Sequence, residues 1–272
     1  TLQFFGTQFL KMSIYCMGFV SVIVALFTLT LITEANLVRE SLSETEKTYL
    51  RDKRLMEWSV KNNMTIYYTI DSSFSPMEKE YIYDKIDKYS GYSCVRWYPS
   101  IPGKMISVKI LPSQSTCHTR QGGKVNTTEV FLLKECFKES WVMHEISHAM
   151  GFGHEHQRRD RNCFMDVDQI HLENSDYYLI PNIDTSFPYD WTSVTHFRFR
   201  DTFKPRRDAL QVFGTNETRF GAYERLSSMD IWKLNYYFCG GEHYCDHFPG
   251  HCKKSQDWVS ANSRECMKAT VV

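Results

Sequence analysis

Three histidines and a glutamate lie close together in the middle of this 272-residue chain, as His144, Glu145, His148 and His154. Histidine nitrogens are common zinc ligands, and a carboxylate beside them can take a proton from a water that the ion activates. The pattern therefore predicts a zinc site for a hydrolytic reaction, with the three histidines as ligands and Glu145 as the general base.

The spacing of these residues also predicts the local structure that positions them. His144 and His148 are four residues apart, so one face of an α-helix presents both imidazoles to one ion. Gly151 can adopt the positive φ that ends a helix and reverses the chain, which brings His154 back toward the same ion. Three protein ligands leave a coordination position for water, as catalytic zinc sites require.

The composition is that of a globular protein, and its balance of charges gives no indication of a highly charged partner. Hydrophobic residues make up 42% of the chain and aromatic residues 15%, enough for a full core in one domain or two lobes. The 32 basic residues balance the 32 acidic ones. We therefore expect neither a nucleic-acid partner nor binding to an anionic membrane surface.

Residues 1–35 are predicted to comprise upstream residues followed by a signal peptide. The apolar run at residues 14–32 follows Met12, a candidate start, and ends near the small residue Ala35, which suits cleavage. The run is also long enough to span a bilayer, so an uncleaved membrane anchor is the alternative.

Residues 36–54 are predicted to be a short pro-segment. They are polar and charged, and they end in Arg51-Asp52-Lys53-Arg54, which resembles a site for a furin-like processing protease. An ordinary charged linker is the alternative interpretation.

Cysteines and glycosylation sequons favour an exported protein. Cys16 lies in the predicted signal, and an even set of eight remains for disulfides: Cys94, Cys117, Cys136, Cys163, Cys239, Cys245, Cys252 and Cys266. Asn63, Asn126 and Asn216 each begin an N-glycosylation sequon. We therefore expect a secreted, extracellular glycoprotein.

Strands and helices are expected on both sides of the zinc motif. Alternating apolar residues predict a strand at residues 65–70, and further strands are expected at 94–98, 105–110 and 129–133. Ser75, Pro76 and Glu78 form a capping-box pattern that opens a helix over residues 76–89. The segment after the motif is loop-rich until a helix over residues 227–238, which opens on a Ser-Ser-x-Asp pattern.

The chain resembles the astacin family of secreted zinc endopeptidases, a branch of the metzincins. Residues 151–161 look like the family's extension GFxHExxRxDR. Trp58 with the strand at 65–70, the run at 93–97 and the segment 226–239 resemble the family's entry, first-cysteine and closing segments. The resemblance covers roughly residues 55–240, which we take as the catalytic domain, and leaves residues 241–272 as a cysteine-rich tail.

The resemblance implies a fold and a way of binding substrate. The expected fold is α+β with two lobes: an upper lobe with a twisted, mostly parallel sheet and two helices, and a loop-rich lower lobe with a C-terminal helix. It also implies the disulfides Cys94–Cys239 and Cys117–Cys136. A protein or peptide substrate in extended conformation is expected to pair with an edge strand near residues 128–133.

One departure from the family pattern concerns the turn beneath the zinc. The family's Ser-x-Met-His-Tyr appears here as residues 193–197, with Thr195 in place of methionine and Phe197 in place of tyrosine. Loss of the tyrosine hydroxyl removes a hydrogen-bond donor to the developing oxyanion, worth on the order of 3 kcal/mol. Slow catalysis is expected, and the Thr195 hydroxyl needs a hydrogen-bond partner.

A second departure concerns activation. In the family, the mature N-terminal amine is buried against the glutamate after the third histidine, here Glu155. Cleavage after Arg54 would leave only three residues before Trp58, too few for the amine to reach Glu155. Either processing occurs nearer Tyr49 or Glu155 has another partner.

The tail carries a third departure, because it holds Cys245, Cys252 and Cys266 with interleaved histidines. Two disulfides that include Cys163 are favoured over a second metal site, and three connectivities are possible. We hypothesise that one tail cysteine bonds to Cys163 and joins the tail to the loop after the zinc helix.

These features together predict a secreted zinc endopeptidase with reduced activity. The alternative is an astacin-like secreted binding or effector protein that has lost catalysis, which Thr195 and Phe197 favour and Glu145 disfavours. Arg158 and Asp160 are interpreted as a structural ion pair behind the site, and His196 as a hydrogen-bonded structural histidine.

Overall fold

The structure, a computed structural model, describes residues 64–103, 107–121, 127–138, 141–168, 174–198, 203–214, 221 and 225–266. The predicted signal peptide, its cleavage site and the pro-segment lie outside the described residues. So do the three sequon asparagines Asn63, Asn126 and Asn216. Among the helices of the described residues, none is both long and apolar enough to cross a membrane.

A five-stranded sheet forms one half of the fold. Its strands are β1 (Thr65–Ile70), β2 (Arg96–Pro99), β3 (Val108–Pro112), β4 (His118–Gln121) and β5 (Thr128–Leu132), in the order β2-β1-β3-β5-β4. All neighbouring strands are parallel except β4 and β5, which are antiparallel. The prediction of a mostly parallel sheet in an α+β fold is confirmed.

The expected edge strand is wrong. The strand at residues 128–132 lies inside the sheet, between β3 and β4, and the edge on that side is formed by β4. Thr128, Val130 and Leu132 are buried, so one face of this strand packs against the core. β4 has only four residues, all of them polar, so it lacks the apolar alternation that predicts strands.

Three helices accompany this sheet. Helix α1 (Pro76–Tyr92) begins at a capping box in which the Ser75 side chain accepts from the Glu78 N–H and Glu78 accepts from the Ser75 N–H. A short helix α2 (Lys134–Lys138) is followed by α3 (Trp141–Ala149), which carries the zinc motif. α1, α3 and the sheet share one hydrophobic core.

The chain after α3 is largely irregular, and it holds a second, smaller core around Phe164, Tyr189 and Trp191. Its regular elements include three single-turn 3₁₀ helices at Glu155–Gln157, Arg161–Cys163 and Ser175–Tyr177. They also include a two-stranded ribbon of β6 (Met165–Val167) and β7 (Phe203–Pro205) and a short helix α4 (Arg207–Phe213), which the sequence did not predict. Helix α5 (Ser228–Cys239) follows, with Ser227 as the N-cap of a second capping box.

The tail forms helices α6 (Tyr244–His247) and α7 (Pro249–Cys266). The side chain of Trp258 on α7 joins the second core and donates to the Cys163 carbonyl at 2.8 Å. The structure pairs all eight cysteines outside the predicted signal: Cys94–Cys239, Cys117–Cys136, Cys163–Cys266 and Cys245–Cys252. Cys163 thus bonds to a tail cysteine, as hypothesised.

Candidate metal centre

Helix α3 positions two of the three histidines and the glutamate. His144 and Glu145 are almost fully buried, at 1% and 2% exposure, while His148 lies one turn further along the helix and is half-buried. Gly151 has φ +91°, which ends the helix and lets the chain return toward it with His154. The local structure expected from the spacing is therefore present.

The three histidines bring one nitrogen each to a common point. The Nε2 atom of His148 lies 3.0 Å from that of His144 and 3.0 Å from that of His154, and the remaining pair is 3.2 Å apart. Within the described part of the chain, this is the one cluster of three or more histidine, cysteine or carboxylate side chains whose atoms could hold an ion.

The other nitrogen of each ring fixes the tautomer. Every Nδ1 lies 2.7–2.8 Å from a carbonyl-type oxygen, which can only accept, so Nδ1 carries the proton: His144 bonds to the Val194 carbonyl, His148 to the Phe152 carbonyl and His154 to the Gln157 side chain. Each Nε2 is then an unprotonated lone pair. Such outer hydrogen bonds are typical of metal-ligating histidines.

The donor set fits zinc. Three lone pairs that face one another at 3.0–3.2 Å have no hydrogen between them and repel, so a cation stabilises the arrangement. Zinc–nitrogen bonds of about 2.0–2.1 Å at tetrahedral angles place ligand nitrogens roughly 3.3 Å apart, close to the observed spacing. Burial lowers the pKa of all three imidazoles, that of His148 to about 4, which keeps them neutral.

Glu145 follows the first histidine and is held by the edge strand. The Thr119 hydroxyl lies 2.9 Å from Glu145 Oε2 and 2.8 Å from the Glu145 carbonyl oxygen. Burial raises the pKa of Glu145 to about 8, although the hydrogen bond from Thr119 acts in the opposite direction. A buried carboxyl with a raised pKa is a suitable proton acceptor and donor near neutral pH.

Glu155 has hydrogen-bond partners within the described residues, as in the second of the two alternatives given for activation. Its Oε2 accepts from Lys233 Nζ at 2.7 Å, and its Oε1 accepts from Arg158 Nη1 at 2.7 Å and from the Asp190 N–H at 3.0 Å. Burial alone would raise the pKa of Glu155, but the charges of Lys233 and Arg158 outweigh it and lower that pKa to about 2. Arg158 also pairs with Asp160, as predicted.

The turn below the histidines satisfies its polar groups. The Thr195 hydroxyl lies 3.1 Å from Ser193 Oγ, so the threonine in place of methionine has its hydrogen-bond partner. His196 is fully buried, with Nε2 2.8 Å from the Tyr189 hydroxyl and Nδ1 2.6 Å from the Phe197 carbonyl. The interpretation of His196 as structural is confirmed.

Phe197 packs directly against the histidine cluster. Its ring centroid lies 4.8 Å from that of His154 and 6.2 Å from those of His144 and Trp141. On its other side the ring lies 4.0 Å from His156, at an interplanar angle of 31°. An apolar ring therefore lies beside the metal ligands, at the position where the family pattern has a tyrosine.

Several residues of the centre carried no functional signal in the sequence. Gln157 lies in the extended motif, but its spacing gave no indication that it orients His154. Thr119 lies in a strand that the sequence did not predict, and Lys233 lies 78 residues from its partner Glu155. Contacts between distant segments of this kind follow from the fold and leave no local pattern.

The histidine geometry agrees with a match to a known family. A family model described as Astacin (Peptidase family M12A) matches residues 51–239, well over half of the chain. The chain belongs to the astacin family. The triad of His144, His148 and His154 fits the catalytic zinc site of the astacins.

Curated relatives of this astacin chain include a zinc metalloproteinase and a choriolytic enzyme. Zinc metalloproteinase nas-14 of Caenorhabditis elegans is 30% identical over 184 residues, which cover 64% of this chain and 36% of the relative. Low choriolytic enzyme of Oryzias latipes is 25% identical over 187 residues, 65% of this chain and 67% of the relative. The aligned region spans only 33–39% of the length of three C. elegans relatives.

A solved structure supports the fold. High choriolytic enzyme 1, a hatching enzyme zinc-protease from Oryzias latipes, superimposes with a TM-score of 0.51 at 22% identity. The match covers 64% of this chain and 88% of that one. At this identity the likeness bears on the astacin fold alone.

Proposed function

We propose that this chain is a zinc endopeptidase, in which His144, His148 and His154 hold the ion and Glu145 is the general base. The observation that carries the proposal is the convergence of three unprotonated Nε2 atoms beside a buried glutamate. A structural zinc site has no need of a buried carboxyl next to the ligands, whereas hydrolysis needs a base there.

Each group of the site is assigned a role in peptide hydrolysis. Zinc, when bound, lowers the pKa of a water and polarises the scissile carbonyl. Glu145 takes the proton of the attacking water and delivers it to the leaving amine. The hydrogen bonds from each Nδ1 to its acceptor keep the rings oriented and their Nε2 atoms unprotonated.

The substrate is proposed to be a protein or peptide in extended conformation. β4 is one of the two edge strands of the sheet, and it is joined to the zinc helix through the contact between Thr119 and Glu145. An extended chain that pairs with the outer side of β4 would therefore lie next to the base, as in strand addition.

The rate is proposed to be lower than that of family members with the tyrosine. Phe197 lies beside His154 but has no hydroxyl to donate to an oxyanion. Removal of one such donor costs about 10²–10³ in kcat in other hydrolases. The same observation favours the second candidate function, a secreted binding protein that grips peptides without cleaving them.

The protein is further proposed to be secreted as a glycosylated zymogen. Four disulfides support export, because such bonds form and persist in oxidising compartments. The signal peptide, the pro-segment and the glycans at Asn63, Asn126 and Asn216 rest on sequence patterns.

A cleavage assay distinguishes the two candidate functions. The full chain is expressed for secretion, its zinc content is measured and a library of unfolded peptides is incubated with it, alongside Glu145→Ala. We expect about one zinc per chain in both proteins and cleavage that Glu145→Ala abolishes. Stoichiometric zinc without any cleavage that depends on Glu145 would show a binding protein instead.

A further inference from the structure

The Thr119 side chain joins the edge strand to the general base. Its hydroxyl lies 2.9 Å from Oε2 of Glu145 and 2.8 Å from the carbonyl oxygen of the same residue. Among the described residues, no second hydrogen-bond donor reaches this carboxylate. Glu145 Oε1 is therefore the oxygen that stays available to an attacking water.

The chemistry of a hydroxyl suits this place. A hydroxyl offers one proton and two lone pairs, so it can donate to a carboxylate or accept from a carboxylic acid. While Glu145 is ionised, Thr119 donates to Oε2. Once Glu145 has taken the water's proton on Oε1, Oε2 is the carbonyl-type oxygen of the acid and still accepts from the Thr119 hydroxyl. The buried Oε2 atom therefore keeps its hydrogen bond in both states of the base.

The strand that carries Thr119 is held from both faces. On the face opposite to Thr119, the His118 ring stacks on Phe131 at 4.7 Å and Arg120 forms an ion pair with Glu129 at 2.6 Å. Successive side chains of a strand point to opposite faces, so these contacts turn Thr119 toward α3. A β-branched side chain also has few χ1 rotamers, which restricts the hydroxyl further.

We propose that Thr119 is the positioning residue of the general base, whose hydroxyl fixes the Glu145 carboxylate through Oε2 and directs Oε1 to the attacking water. The assignment rests on the proposed peptidase function. It also connects the two parts of the site, because the strand that a substrate would extend is hydrogen-bonded to the group that activates the water.

Four variants test the assignment. Thr119→Val removes the hydroxyl but keeps the shape of the side chain. Thr119→Ala removes both the hydroxyl and the methyl group, and Thr119→Ser keeps the hydroxyl. Thr69→Val is the matched control, since Thr69 is a half-buried threonine of β1 in the same sheet, away from the histidines. Each is assayed for kcat and KM on one peptide and for zinc content, and metal-free crystals give the position of the Glu145 side chain.

The expected result is a loss in kcat with KM and zinc content unchanged. A hydrogen bond to a charged group corresponds to about tenfold or more in rate, so Thr119→Val and Thr119→Ala should lose at least about tenfold. Thr119→Ser should stay within about threefold of the wild type, and Thr69→Val should match it. In metal-free crystals, Glu145 should keep its conformer in Thr119→Ser and change it in Thr119→Val.

Two outcomes would overturn the assignment. One is a kcat of both Thr119→Val and Thr119→Ala within about twofold of the wild type. The other is an unchanged Glu145 conformer in metal-free crystals of Thr119→Val. A wild type that does not cleave peptides contradicts the proposed function instead, and the crystals then decide the role of Thr119 without any turnover.

Discussion

Phe197 stands where the family pattern has a tyrosine, so the side chain differs by one hydroxyl oxygen. The ligands, their hydrogen-bonded tautomers and the buried glutamate are all in place around it. The Phe197 ring packs against His154, His156 and Trp141, and it carries no hydroxyl that could donate a hydrogen bond. A tyrosine at this position would therefore differ from Phe197 mainly by one hydrogen-bond donor.

The substitution Phe197→Tyr is expected to raise kcat on a peptide substrate by about tenfold or more, because it restores a donor beside the ligands. KM and zinc content should change little. Steady-state kinetics on one cleaved peptide check this, with Phe197→Tyr combined with Glu145→Ala as the inactive control. A kcat equal to that of the wild type at equal zinc content would show that the missing hydroxyl does not limit the rate.

Helix α5 is held by buried charges to the segment that carries His154 and Glu155. Lys233 on this helix bonds to Glu155, which directly follows the ligand His154. At the start of the same helix, Asp230 accepts from the Val194 N–H at 2.8 Å, and the Val194 carbonyl accepts from His144. The helix therefore helps to position two of the three histidines. It reaches His154 through Glu155 and His144 through Val194.

Glu155 should make stability depend on acid pH. The charges of Lys233 and Arg158 hold its folded pKa near 2, below the ordinary value of 4.5. A lowered folded pKa stabilises the protein above about pH 4.5, and this stabilisation is lost as pH falls through about 2. Glu155→Gln should therefore lower the free energy of unfolding by roughly 2–3 kcal/mol at pH 7 and by much less near pH 2.

Urea unfolding of the wild type and Glu155→Gln between pH 2 and pH 8 measures this difference. Asp84→Asn is the matched control, because the Asp84 carboxylate is half exposed in its ion pair with Lys88 and surface pairs contribute little. A constant difference between wild type and Glu155→Gln across the whole range would contradict the assigned charge network.

At the scale of the whole molecule, the tail is part of the fold. α7 covers the second core with Trp258, and Lys254 donates to the Val212 carbonyl at 2.6 Å. The Cys163–Cys266 bond joins this helix to the chain that follows the third histidine, and its two cysteines are 103 residues apart in the sequence. The cysteines of the Cys245–Cys252 bond are only 7 residues apart. The first bond links distant segments, and the second only closes a local turn.

The two tail disulfides should therefore differ in their contribution to stability. In the chain-entropy account, closing a loop of about 100 residues stabilises by about 5 kcal/mol and a loop of 7 by about 2 kcal/mol. The double variant Cys163→Ala with Cys266→Ala should lower Tm clearly more than Cys245→Ala with Cys252→Ala. Thermal unfolding of the two double variants at matched zinc content checks this, and equal losses in Tm would count against it.

The sequence predicted those parts of the molecule that have a local or repeating pattern. The spacing of His144, His148 and His154 depends on one helix and one turn, and the capping boxes at Ser75 and Ser227 lie within four residues each. β4 could not be predicted, because its polar residues become a strand only through pairing with β5. Thr119 and Lys233 act across the fold, and only the assembled chain brings them to Glu145 and Glu155.

The cysteine connectivity also has a consequence for how the chain is made. Cys94 pairs with Cys239 and Cys163 with Cys266, so the two loops interleave along the sequence. During synthesis, Cys94 and Cys163 both emerge as free thiols before either partner exists, and an early bond between them competes with the native pairs. Thiol–disulfide exchange must then resolve that bond. The yield of folded protein in an oxidising host should therefore depend on a disulfide isomerase.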